Sequence, residues 1–199
     1  MITLLINDHS EENKLNETSF GGLPVKEAGR DIEWPKCATC DAEMQYLGKI
    51  KTDIGLELIF MCNADPGMCE QWAPEDGGNK VIIVEGENLE FFHPEDEKLA
   101  LREIQYGAKL VESDAADYDS AREQWEGNRR DVLGKLHGEP EWLQSDETPV
   151  CNCCNQEMRF VAQLEEGPGD STSMNFGGGG LAYLFDCKEG KTAKFLWQC

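Results

Sequence analysis

The sequence predicts an α+β protein dominated by strands, with two pseudo-repeated zinc-knuckle β halves joined by an acidic helical connector. Three observations lead there. A cysteine pattern occurs twice, short apolar runs broken by glycine and proline turns follow each copy, and a charged stretch with helical spacing lies between them.

The repeat is residue by residue. Pro35, Cys37, Cys40, Glu43 and Met44 return as Pro149, Cys151, Cys154, Glu157 and Met158, always at an offset of 114. Tyr46 with Phe160, Leu47 with Val161 and Ile50 with Leu164 extend the match into the following segment. The first half spans residues 1–93 and enters through the turn-rich Phe20-Gly21-Gly22-Leu23-Pro24. Its strand candidates are 44–50, 56–61 and 80–84, short aliphatic and aromatic runs separated by Pro66-Gly67 and Asp76-Gly77-Gly78.

Residues 94–131 form the predicted connector, in which Leu101, Ile104, Ala108 and Val111 recur at helical spacing among many charges. A second helix runs from Ala116 towards Trp125, with Gly127 as its stop signal. The second half spans 132–199, where Gly138 and Pro140 echo Gly22 and Pro24 and the strand candidates are 158–164, 181–185 and 193–197. The glycine-rich stretch 167–180 between the first two reads as a loop that its own small residues cannot order.

Nine cysteines in 199 residues give this pattern its chemistry. A two-residue spacing lets both thiolates of a tight turn face one ion, and two further cysteines complete a tetrahedral site. The first set is Cys37, Cys40, Cys62 and Cys69. The second is Cys151, Cys154 and Cys187, with Cys199 as the fourth ligand; Cys153 aligns with Thr39 and reads as a bystander. Both sets predict structural Zn2+, because four sulfurs leave no open position for a substrate. A disulfide oxidoreductase also uses a two-residue spacing, although two such pairs with two more cysteines each fit it poorly.

Other signals set limits on function. The formal charge of −21 argues against nucleic acid and anionic membranes, which are bound through clustered Lys and Arg, and suits a basic protein partner. His9, His93 and His137 are scattered, no carboxylate pair stands out, and Gly177 to Gly180 lacks the Lys and Ser/Thr of a phosphate loop, so no catalytic set is predicted. Trp34 and Trp142 precede the two knuckles and either line a groove or pack beneath the thiols. The apolar start Met1-Ile2-Thr3-Leu4-Leu5-Ile6 ends at Asn7 and Asp8, which predicts a cytoplasmic protein without a membrane span.

The series Lys135-Leu136-His137-Gly138-Glu139-Pro140-Glu141-Trp142-Leu143-Gln144, followed by Pro149, Cys151, Cys154, Glu157 and Met158, resembles the YwqG-like family of bacterial proteins of unknown function. Phe176 through the glycines to Leu181-Ala182-Tyr183-Leu184-Phe185-Asp186-Cys187 fits the same pattern. The chain departs from it at His137, where a second glycine is usual. The duplicated knuckle is also similar to that of the programmed cell death protein 2 group, whose members are thought to chaperone a small-subunit ribosomal protein. What the resemblance implies is a mixed, strand-dominated fold with an internal pseudo-repeat; it brings no enzymatic activity with it. The reading is a zinc-stabilised protein-binding module, chaperone-like or immunity-type; its rival is a thiol-based redox protein or enzyme with a reactive cysteine.

Overall fold

The computed structural model describes residues 1–12, 14–30, 32–102, 104–169 and 173–199. In chain order the elements are β1 (Ile2–Asn7), β2 (Ser19–Phe20), β3 (Val25–Glu27), β4 (Gln45–Lys51), β5 (Leu56–Met61), β6 (Asn79–Val84) and β7 (Leu89–Phe91). They continue with α1 (Glu97–Ala100), β8 (Tyr106–Ser113), α2 (Tyr118–Gln124), a 3-10 turn at Arg129–Asp131, β9 (Val132–Leu136), β10 (Arg159–Leu164), β11 (Leu181–Cys187) and β12 (Thr192–Gln198). Ten strands form one antiparallel sheet in the order β12-β11-β10-β9-β1-β8-β2-β4-β5-β6. The sheet curls until its two outer strands, β6 and β12, touch. The remaining two, β3 and β7, form a small separate ladder.

The curl explains the apolar runs. Leu5, Leu47, Ile50, Ile59 and Met61 meet Leu133, Val161, Leu164, Leu184 and Phe195 in one buried cluster on the concave face. The convex face is covered too: Tyr46, Leu58 and Phe60 pack with Val25 and Trp34, while Phe160, Tyr183 and Phe185 pack with Trp142. A strand covered on both faces has no reason to alternate, and Leu56–Met61 is buried at all six positions.

The segment read as a helical connector supplies a central strand. β8 pairs with β1 from Ile2↔Ser113 to Asn7↔Ala108 and with β2 on its other side. The helix expected over Leu101, Ile104, Ala108 and Val111 is therefore replaced: Ala108 packs on the concave cluster and Val111 on the outer one, whereas Leu110 is exposed. Gly107 lets β8 pass close to Asp8, since a Cβ there would meet the Asp8 carboxylate at 2.6 Å. The second expected helix is present as α2, capped by the Asp117 side chain accepting from Ser120 N–H at 2.7 Å.

Strand order also interlocks the chain. β8 separates β1 from β2, so residues 1–93 form no contiguous sheet by themselves. Within the glycine-rich loop, Asp170, Ser171 and Thr172 lie outside the described residues, and the later part is organised by a carboxylate: Glu166 accepts from the N–H groups of Phe176, Gly178 and Gly179, each at 2.9 Å.

One buried polar group stands out on β5. Glu57 is fully buried, and neither of its oxygens has a hydrogen-bond partner. Burial first, and the nearby Asp186 charge second, push its carboxyl up to about 8. Asp186 is itself buried and paired with Arg159, whose Nε donates to it at 2.8 Å and whose other nitrogens reach Asp53.

Candidate metal centres

Two groups of four cysteines converge at the sheet ends. Cys37, Cys40, Cys62 and Cys69 bring their sulfurs within 4.8 Å of one another, and so do Cys151, Cys153, Cys154 and Cys187. Each group is built from a knuckle before one strand and a cysteine at the end of the next. Cys37 and Cys40 precede β4 and Cys62 follows β5; Cys151 and Cys154 precede β10 and Cys187 ends β11.

The two knuckles share their hydrogen bonds at the sequence offset. Cys37 N–H donates to Ala42 C=O at 2.9 Å and Cys151 N–H to Gln156 C=O at 2.8 Å. Asp41 N–H returns to Cys37 C=O at 2.9 Å, and Asn155 N–H to Cys151 C=O at 2.9 Å. Asp41 (φ 60°) and Asn155 (φ 56°) both take the left-handed conformation that reverses the turn, which their short polar side chains tolerate. Met44 and Met158 then bond back to Pro35 and Pro149, at 2.8 and 2.9 Å. A bulge follows at the same place in each next strand, between Tyr46 and Gly48 and between Phe160 and Ala162. The tryptophans pack beneath: Trp34 Nε1–H donates to Met44 C=O at 2.8 Å, and Trp142 lies on Tyr183 and Phe185. Trp34 also borders a cavity of about 870 Å³ that runs past Lys36, Glu43 and Phe92.

Sulfur spacing excludes disulfides and leaves room for a metal. Cys40 Sγ lies 3.6 Å from Cys62 Sγ, and Cys154 Sγ 3.7 Å from Cys187 Sγ. A disulfide needs about 2.05 Å, whereas a tetrahedron with metal–sulfur bonds of about 2.3 Å has edges near 3.8 Å. All nine cysteines are free thiols.

The electrostatics fit a cation. Burial opposes ionisation of Cys37, but the N–H groups of Cys40 and Thr39 directed at its sulfur bring it down to about 7. Cys151 falls to about 6, chiefly through the N–H and then the thiol of Cys153. Burial, followed by the neighbouring thiols, drives Cys69 far up, and Cys153 rises to about 12 through its hydrogen bond to Cys151 and then burial. Each group thus holds one thiol that ionises readily beside others that resist ionisation. A divalent cation removes that conflict, and the site then closes with four sulfurs.

Cys199 is not brought to the second group. The β11–β12 hairpin sets Cys187 opposite Thr192 and Leu181 opposite Gln198, so Cys199 lies at the far end of the ladder, roughly 20 Å along the strand. Cys153 takes its place. In the first half a long loop, 62–78, leads from Cys62 to β6 and carries Cys69, but only four residues separate Cys187 from β12. No loop is left to supply a fourth sulfur, and the extra cysteine inside the knuckle supplies it instead. The sequence signal was available: a surplus cysteine in the copy that lacks a counterpart of Cys69.

Among the described residues no helix is long and apolar enough to cross a membrane. No protein-family model matches the chain, and no curated protein matches it either.

Proposed function

We propose that the protein is a zinc-stabilised β scaffold that binds a basic protein partner through its acidic surface. The observation that carries the first part is the pair of four-sulfur groups, each gathered within 4.8 Å. Zinc is the ion that this soft, tetrahedral donor set favours. The matched knuckle bonds support a duplicated zinc-knuckle unit, in keeping with the resemblance to the YwqG-like and programmed cell death protein 2 groups.

The partner reading rests on charge. Zinc bound by four thiolates carries a net −2, so two filled sites take the formal charge from −21 to about −25. A chaperone-like escort or an immunity-type inhibitor of a basic protein uses such a surface. Zinc analysis of the purified chain is expected to return two ions, and immobilised protein is expected to retain basic proteins that moderate salt releases. Retention unaffected by salt, or no retained basic protein, counts against the partner.

A specific observation also supports the rival reading: Cys40 and Cys153 are exposed. A reactive thiol shows as rapid labelling of the zinc-loaded protein. Protection of eight cysteines that only a chelator lifts dismisses it.

A further inference from the structure

We infer that the two cysteine groups differ in kind: the first locks its metal into the fold, whereas the second, opened through Cys153, exchanges its metal with outside thiolates. This deepens, and rests on, the reading of both groups as zinc sites.

The first group is enclosed. Cys37, Cys62 and Cys69 are 2%, 0% and 1% exposed, leaving only Cys40 at the surface. Its sulfurs come from three separate places: the knuckle, the end of β5 and the 62–78 loop. The two ends of that loop are tied to each other and to the knuckle. Cys62 N–H donates to Gly78 C=O at 2.8 Å and Ala38 N–H to Gly77 C=O at 3.0 Å. Gly78 sits so close to Cys69 that a Cβ there would meet the Cys69 carbonyl oxygen at 2.1 Å. Freeing the Cys69 sulfur therefore requires this packed loop to move.

The second group is open on one side. Cys151, Cys153 and Cys154 all come from one turn, and only Cys187 anchors them to the sheet. Cys153 is exposed and Cys154 half-buried. Cys153 also lines a cavity of about 470 Å³ at the seam where β6 and β12 meet, walled by Glu75, Lys80, Asn152 and Lys194. Lys194 is held there by Glu75, the Val150 carbonyl and Asn152, which leaves Lys80 to place positive charge on this wall of a strongly acidic protein. An incoming anionic sulfur therefore finds an entrance beside a ligand that faces it.

Cys153 is also the sulfur whose departure costs least order. Cys151, Cys154 and Cys187 occupy the positions of Cys37, Cys40 and Cys62, so the shared three-sulfur frame survives without it. Exchange is a ligand substitution: the competitor's sulfur–metal bond forms as that of Cys153 breaks, and the released Cys153 thiolate takes a proton from water. No electrons change hands. The fitting exchange partner is a thiolate, from a small thiol or from the cysteines of a metal-free protein. Room behind Cys153 is tight: a Cβ at Gly190 would lie 2.3 Å from its sulfur.

The test follows zinc release from the full, zinc-loaded chain into an excess of the chromogenic chelator 4-(2-pyridylazo)resorcinol. One equivalent is expected to leave at least about tenfold faster than the other, because local opening of an exposed turn is easier than opening a packed loop. Cys153→Ser should remove the fast equivalent and leave the slow one unchanged. Gly190→Ala, which alters no ligand, should speed the fast phase alone. Two ions leaving at one rate, or a fast phase that persists in Cys153→Ser and ignores Gly190→Ala, overturns the inference while the zinc reading stands. No bound zinc at all overturns both.

Discussion

Replacing Glu57 by glutamine is expected to stabilise the protein, by an amount that grows with pH. Glu57 is fully buried on β5 with both oxygens unpartnered. Burial, and then the charge of Asp186, raises its carboxyl from 4.5 to about 8; the Thr52 side chain and Arg159 oppose the shift only in part. At neutral pH the folded chain keeps this group protonated, while the unfolded chain ionises it. A raised folded value means that its contribution to stability is complete below the unfolded value and is lost as pH climbs through the folded one. At pH 7 the unfolded state has gained about 3 kcal/mol over one with a group that cannot ionise, from roughly 2.5 pH units at about 1.4 kcal/mol each. Glutamine has the same size and carries no charge. The Glu57→Gln advantage should therefore be about 2 kcal/mol at pH 6 and about 3 at pH 7, levelling near 5 above pH 8. Urea unfolding of both proteins, zinc-saturated, at matched pH reads this difference directly, and the metal contribution cancels within each pair. A difference that stays constant with pH, or a glutamine variant that is less stable throughout, refutes the reasoning.

Two further predictions address the cysteines and the sheet. Cys199→Ser should leave zinc content at two per chain, because the β11–β12 register holds Cys199 away from the second group; a fall to one in elemental analysis reverses that assignment. Gly134→Ala should be severely destabilising, by about 3 kcal/mol or more. Gly134 has φ 142°, and a Cβ there would meet the Gln163 carbonyl oxygen at 2.0 Å, within the sheet that joins β9 to β10. Thermal unfolding near that of the parent protein contradicts it.

The parts of the fold that were legible in the sequence are those governed by neighbours along the chain. The Cys-x-x-Cys turns, their bulged strands and the capped helix α2 depend on residues a few positions apart, and each stands where its local pattern put it. β8 was not legible. Its helical spacing is real, but Leu101, Ile104, Ala108 and Val111 meet no common surface, and a vacant place between β1 and β2 imposes extended backbone on residues 106–113. The first cysteine group was readable because all its members lie within one continuous stretch of 33 residues, from Cys37 to Cys69. In the second group Cys153, and not Cys199, gathers with Cys151, Cys154 and Cys187, a choice that turns on strand register and hairpin length.

By itself, then, the sequence determined that the chain is acidic, strand-rich and built on a cysteine turn used twice, since composition and short-range repetition carry that information directly. Tertiary structure decided three things: that one sheet runs through all three segments, that residues 94–131 insert β8 between β1 and β2, and that Cys153 rather than Cys199 joins Cys151, Cys154 and Cys187. The physical reason is shared. Antiparallel pairing sets which residues stand opposite one another across long stretches of chain, and a side chain can reach only what that pairing brings to its own end of the sheet.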